Sequence, residues 1–323
     1  MDNIILNIKD LKVSFKDNNK FLQVLRGVDL KLKYGEILGI LGESGSGKTV
    51  TASTVLKLAS KENCKIDSGS IIFEDMDLIK AYEKEMRDIR GKKISYIFQD
   101  PAAALNPYRR VGKQLEEVLK LHKEEYSKDK VVQGMRQAGI ENAEVIYNMF
   151  PSQLSGGLCQ RVVIAMSTIC SPQIIIADEP TTAIDASLQK KVLTLLKEIN
   201  RKQGASIIII THDFDVVRFL CDRVIVMYGG LVMEEGEMED IFHNPLHPYT
   251  RELLNCVKSL DDNEEELYSL PGKAPSPQEF KDECPFFERC KLSCDECKKT
   301  LPPIKNIGGR EVRCIKVGED IES

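Results

Sequence analysis

The chain contains no tryptophan, and that absence excludes little. Other absences exclude more. No apolar run approaches the roughly 20 residues a helix needs to cross a bilayer. The longest, around Ile207 to Ile210, suits a buried parallel strand. Positive charge is not in excess: 45 Lys and Arg face 50 Asp and Glu, a net charge of -5, so there is no broad basic field to attract nucleic acid. The first residues, MDNIILNIKDLKVSF, lack the basic, apolar and small-residue order of a secretion signal. No internal repeat or long low-complexity segment interrupts the chain. The expectation is a cytosolic protein whose membrane work goes through a partner.

At 323 residues there is room for one α/β domain of about 250 residues plus an appendage. Strand patterns cover Ile4 to Ile8, Leu11 to Phe15 and Val28 to Leu32, with a hairpin turn expected at Asp17-Asn18-Asn19-Lys20. Glu36 to Leu41 reads as a short strand running into glycines, and Lys48 to Leu58 follows with helical spacing. A mainly helical insert is expected over about 100–160, with Val111, Leu115, Val118 and Leu119 on one helix face, and a charged, exposed stretch Lys123 to Lys130 before Val131 to Met135. Strands at 174–178, Ser206 to Ile210 and Arg223 to Met227 then alternate with helices Leu158 to Ile169 and Leu188 to Ile199, implying a largely parallel sheet. Past Glu237 the regularity fades. Asp261 to Glu266 reads as an acidic, solvated linker, and 271–323 as a loop-rich appendage with six prolines.

Gly42-Glu43-Ser44-Gly45-Ser46-Gly47-Lys48-Thr49 has the spacing of a phosphate loop, between a strand and a helix. Gly42, Gly45 and Gly47 let consecutive backbone N–H groups face one anion. Lys48 can reach the terminal phosphates, the Thr49 hydroxyl can ligate Mg²⁺, and the helix start through Val50 adds its positive end. Asp178 and Glu179 end an apolar strand, where α/β folds place ligand-facing groups. Asp178 suits Mg²⁺, and Glu179 suits a general base acting on water. Leu154-Ser155-Gly156-Gly157 precedes a helix and makes a second anion cradle. With one lysine loop and two cradles, Ser155, Gly156 and Gly157 are expected to serve the γ-phosphate held by a partner chain. His212, after the strand Ser206 to Ile210, can hydrogen-bond the γ-phosphate. Gln99, at the edge of the insert, can touch Mg²⁺ and the attacking water. Asp185 is a candidate cross-dimer contact. Phe15 can stack on adenine, with Phe21 as its rival.

Ten cysteines are present, five of them in the tail: Cys284, Cys290, Cys294, Cys297 and Cys314. A reducing cytosol disfavours cross-links, so the cluster points to a metal. Four thiolates suit an iron–sulfur cluster or Zn²⁺.

Taken together, the phosphate loop, Gln99, the LSGG turn, Asp178-Glu179, Asp185 and His212 resemble the ATP-binding cassette family over roughly residues 4 to 255. The resemblance implies an α/β phosphate-loop ATPase fold, a mixed sheet core with a helical subdomain, carrying a small Cys-rich C-terminal appendage. The domains are then 1–255, the nucleotide-binding domain, and 256–323, the extension. It also implies ATP sandwiched between one protomer's phosphate loop and the other's signature. Gln99-Asp100-Pro101 through Leu105-Asn106-Pro107, His247-Pro248-Tyr249-Thr250-Arg251 and the tail Cys284-Pro285-Phe286 with Arg289-Cys290 are similar to the subgroup serving oligopeptide, dipeptide and nickel importers. Leu158-Cys159 departs from that subgroup's Met-Arg, so the helix surface there is expected to differ.

The subgroup implies a [4Fe-4S] cluster on Cys284, Cys290, Cys297 and Cys314, with Zn²⁺ as the alternative and Cys294 able to replace Cys297. It implies a motor subunit at the cytoplasmic face of the cell membrane. Its partners would be a related second ATPase (or a second copy), two permease subunits and an external solute-binding protein. A nickel importer is the alternative cargo reading. A non-transport ATPase acting on ribosomes or DNA would usually carry two cassettes, a basic linker or a long coiled-coil insert, and this chain has none of them.

Overall fold

The computed structural model describes residues 3–18, 20–60, 62–182, 185–261 and 270–317. Asn19 of the expected hairpin, Ala183 and Ile184, and all of the expected acidic linker after Asp261 lie outside the described residues. The chain folds as two compact units that alternate along the sequence.

One unit takes 33–37 and 80–210. Its strands Ile94–Ile97, Ile174–Asp178 and Ser206–Thr211 pair in parallel, Ile94 opposite Ile174 and Ile174 opposite Ser206. Every residue of the last two strands is buried. Isoleucine runs without alternation satisfy a sheet covered on both faces. Around them lie helices Glu83–Ile89, Pro101–Ala104, Val111–Leu121, Lys128–Gln137, Ala143–Ile146, Gly156–Thr168 and Ala186–Gln203. Val111, Leu115 and Leu119 recur every four residues and are fully buried. Helix Gly156–Thr168 packs on Pro101–Ala104, Val111–Leu121 and Lys128–Gln137, so the insert is a helical cluster built on the signature helix.

The other unit takes 4–32, 38–79 and the described residues from Thr211 onward. An antiparallel sheet runs in the order Lys20–Lys33, Ile4–Asp17, Cys64–Phe73, Met76–Asp77. The two strands expected at Ile4 to Ile8 and Leu11 to Phe15 are one strand. The Lys9-Asp10 interruption is a register irregularity, with Asp10 at φ 44, rather than a break. A second sheet pairs Ile37–Leu41 in parallel with Arg223–Tyr228, then adds Leu231–Glu237, Arg310–Val312 and Lys305–Ile307 antiparallel. The paired strands are therefore mixed rather than largely parallel. Helix Lys48–Val55 stops before the expected Leu58, and Lys57 at φ 50 reverses the chain there. Regularity does not fade past Glu237: helices Met238–His243 and Pro248–Asp261 follow. Among the described residues no helix is long and apolar enough to cross a membrane.

Candidate functional site

The phosphate loop lies in the unit that holds the strand Arg223–Tyr228. Gly42 sits at φ 154, and a Cβ there would lie 2.2 Å from the Met227 carbonyl oxygen. Gly47, at φ 101, takes the cap position of helix Lys48–Val55 without a capping side chain. Both positions need glycine for closeness and for conformation. Lys48 is buried, and its Nζ donates to the Gly42 carbonyl at 2.7 Å and the Glu43 carbonyl at 2.8 Å. Ser44, Gly45 and Thr49 are exposed, and Val50 is half-buried. Ser46 is 2% exposed, and its Oγ has no hydrogen-bond partner among the described residues. A buried hydroxyl left unmatched at a loop of amide donors fits an anion with acceptor oxygens.

In the other unit, the carboxylates Asp178 and Glu179 stand at the end of the strand Ile174–Asp178. Asp178 is 5% exposed, and its Oδ2 accepts from the Tyr96 hydroxyl at 2.8 Å. Burial, followed by the Asp178 charge, pushes the Tyr96 hydroxyl pKa well up, so it stays a donor. Glu179 is held in the left-handed region at φ 46. Its N–H donates to the Ile210 carbonyl at 2.9 Å, and its Oε2 accepts from Gln99 Nε2 at 3.0 Å and Thr182 Oγ1 at 2.9 Å. A non-glycine residue in that conformation costs about 1–3 kcal/mol and persists where the surroundings over-determine it. Gln99 and Glu179, 80 residues apart in the chain, are thus brought together.

Ser155 caps helix Gly156–Thr168, its Oγ accepting from Leu158 N at 3.4 Å. Ser155 and Gly156 are exposed, with no atom within 4 Å of a Cβ built on Gly156. Gln160 Nε2, further along that helix, donates to the Pro180 carbonyl at 2.8 Å and ties the signature helix to the turn after Glu179. Of the two residues that depart from Met-Arg, Cys159 is buried, its Sγ 3.7 Å from the Pro151 carbonyl, and Leu158 is half-buried. Asp185 caps helix Ala186–Gln203, Oδ1 accepting from Leu188 N at 3.0 Å, and this bond holds its carboxyl below the usual range. His212 is exposed, beside Asp213, the cap of helix Phe214–Leu220. Phe15 is half-buried and Phe21 is 48% exposed.

Tyr96, Thr182 and Gln160 were missed by sequence reasoning. Tyr96 lies two residues before Phe98 on the strand that leads to Gln99, and that alternation was its signal. Thr182 and Gln160 carried none, since a turn threonine and a helical glutamine are ordinary.

The expected [4Fe-4S] cluster or Zn²⁺ site on Cys284, Cys290, Cys297 and Cys314 is corrected. Among the described residues no group of three or more His, Cys, Asp or Glu side chains is placed to hold a metal ion. Burial pushes the Cys284 thiol up to about 12 and the Cys290 thiol up to about 11. The segment also packs apolar side chains of its own. Phe286 is fully buried, edge-on to Tyr228 at 5.4 Å and against Tyr249 at 5.2 Å, while Val312, Cys314 and Val317 form an apolar cluster of their own.

Residues 25–182 match the ABC transporter family, and 233–297 match the oligopeptide/dipeptide transporter C-terminal region. The chain is 40% identical to the oligopeptide transport ATP-binding protein OppD of Escherichia coli (strain K12), over 98% of this chain and 94% of that one. It is 44% identical to the dipeptide transport ATP-binding protein DppD of Bacillus subtilis (strain 168), over 92% and 90%. A solved dimeric ATP-binding cassette in a post-hydrolysis state, bound to ADP and Pi, superposes with TM-score 0.64 at 29% identity, covering 72% of this chain and 98% of that one. The chain therefore belongs to the ABC transporter family as an ATP-hydrolysing subunit, among the oligopeptide and dipeptide transport ATP-binding proteins.

Proposed function

We propose that this chain is the motor subunit of a membrane importer, coupling ATP binding and hydrolysis to uptake of oligopeptides or dipeptides. The relatives' names favour peptides over nickel. The observation that carries the catalytic reading is Glu179, strained at φ 46 and gripped by Gln99 and Thr182. Backbone strain and a fixed carboxylate together suit a base that must meet water in one orientation.

In this reading Gly42, Ser44, Gly45, Ser46 and Gly47 wrap the phosphates, and Lys48 leaves its carbonyl partners for the terminal phosphates. Val50 and Phe15, or Phe21 in its place, flank the nucleotide. Thr49, Gln99 and Asp178, hard oxygen donors, hold Mg²⁺. Bound there, Mg²⁺ neutralises charge on the phosphates. Tyr96 fixes the Asp178 carboxylate. Glu179 takes the proton of the attacking water, Gln99 orients that water, and His212 hydrogen-bonds the γ-phosphate. Ser155, Gly156 and Gly157 engage the nucleotide held by an opposed subunit, with Asp185 at that same interface. ATP favours the closed pair because it makes those extra contacts only there.

The domains proposed are 1–255, with the helical subdomain about 100–160, and 256–323 as the Cys-rich C-terminal extension. The partners are a related second ATPase, two permease subunits and an external solute-binding protein, at the cytoplasmic face of the membrane. Nucleic acid is not among them.

The test is Glu179→Gln. It keeps ATP binding and loses turnover by about 10²–10⁴-fold, the usual contribution of a positioned base. Turnover within threefold of the parent removes Glu179 from the role.

A further inference from the structure

Glu43, the second residue of the phosphate loop, is engaged from outside the loop at several points. Its carboxylate pairs in bidentate fashion with Arg289, Nη1 to Oε2 at 2.6 Å and Nη2 to Oε1 at 3.0 Å. Its N–H donates to the Tyr249 hydroxyl at 3.0 Å. The Arg289 side chain is 7% exposed. It is locked in turn by Tyr228 OH at 3.0 Å and the Pro271 carbonyl at 2.8 Å. A fork held at each nitrogen is pre-organised, so it fixes its carboxylate in position as well as in charge. The carbonyl of the same Glu43 is one of the two that hold Lys48 Nζ. Any shift of the Gly42-Glu43 peptide therefore moves the lysine's seat. Burial works against the Arg289 charge, but the bonds from Glu43 and Tyr228 outweigh it and raise its pKa.

We propose that Arg289 is a positioning residue for the phosphate loop, acting through Glu43, so that the segment around Phe286–Cys290 sets the affinity for nucleotide. The inference rests on the reading of Gly42–Thr49 as the triphosphate cradle. Arg289 touches no reacting atom. It fixes the loop conformation in which the amides and Lys48 face the phosphates, and a looser loop binds ATP less tightly while each bound ATP is still cleaved.

The test uses the full chain, with MgATP titrated onto Glu43→Ala, Arg289→Ala, the double variant, and Lys48→Ala as reference. KM and kcat are measured in the assembled transporter. Each single variant is expected to raise the Kd for ATP about tenfold, less than the full cost of breaking a buried ion pair, because the pair acts on nucleotide only through the loop. The rise appears in KM with kcat within twofold. The double variant is expected to be no weaker than the weaker single, because both changes remove one interaction. Arg289→Lys, which cannot form the fork, falls between parent and Arg289→Ala. If Arg289→Ala does not fold, Glu43→Ala carries the test, since its side chain sits on the loop and is 27% exposed. A folded Glu43→Ala with parental Kd, while Lys48→Ala abolishes binding, overturns this inference alone. So does an additive double variant. Parental binding by Lys48→Ala overturns the loop reading, and this inference with it.

Discussion

Replacing Gly157 with alanine sets the packing of the signature helix against its own function. A Cβ there would lie 2.1 Å from Leu188 Cδ2 and 3.1 Å from both Cδ1 and Cγ. Carbon atoms rest about 3.5–4.0 Å apart, so swinging one methyl aside leaves two more contacts too close. Overpacking of this kind costs about 1–3 kcal/mol. For a unit of 150–250 residues that is a fall in melting temperature of about 2–12 °C. Gly156 is the internal control, since nothing lies within 4 Å of its would-be Cβ. Gly156→Ala should melt within about 0.5 kcal/mol of the parent, yet lose ATPase activity, because the added methyl covers N–H groups offered to a phosphate. The assay is thermal and urea unfolding without nucleotide, followed by ATPase activity in the assembled transporter. Gly157→Ala should cost less stability in a Leu188→Ala background than in the parent, the mark of a direct clash. If Gly157→Ala melts with the parent, or the two alanine variants melt alike, the packing argument fails.

His247 is fully buried, with Nδ1 accepting from Tyr249 N at 3.0 Å, and burial pulls its pKa down to about 3. The unfolded chain, near 6.5, binds the proton first. The stability is therefore fully present above pH 6.5 and is lost as pH falls toward 3. Between pH 7 and pH 5 the loss is about 2 kcal/mol, and His247→Gln should remove that part of the slope in urea unfolding at the two pH values. An unchanged slope counts against a neutral, buried His247. Ser46→Ala removes a buried hydroxyl that has no partner among the described residues. Without nucleotide its melting temperature should match or exceed the parent's, because an unmatched group costs about 1–3 kcal/mol. ATP affinity should fall severalfold. A clear loss of apo stability would show that the hydroxyl serves the fold.

The phosphate loop and the Asp178-Glu179 strand were legible because their chemistry is local. Gly42 and Gly47 need conformations that other residues resist, and the isoleucine runs Ile174–Ile176 and Ile207–Ile210 admit only a strand covered on both sides. The meeting of Gln99 with Glu179 was foreseen only as two groups sharing one water. Their direct hydrogen bond depends on parallel pairing of Ile94–Ile97 with Ile174–Asp178. The left-handed Glu179 has no sequence signature at all, since glutamate is not a residue that favours that region. The tail was misread because five cysteines in a short segment suggest a metal when no core is in view. In the fold, Phe286 reaches Tyr228 and Tyr249, and Arg310–Val312 adds to the strand Leu231–Glu237. Those long-range partners are what a linear reading cannot supply. The helices Met238–His243 and Pro248–Asp261 were missed for a similar reason: prolines at 245 and 248 mark helix boundaries there, not loops.

The central claim is that one nucleotide is gripped by two opposed subunits. The structure of the assembled transporter with Glu179→Gln, loaded with MgATP, tests it most directly. The Ser155 hydroxyl and the Gly156 and Gly157 amides are expected at the γ-phosphate of an ATP held by the opposing subunit's phosphate loop. Ser155 remote from every triphosphate in that closed assembly would contradict it.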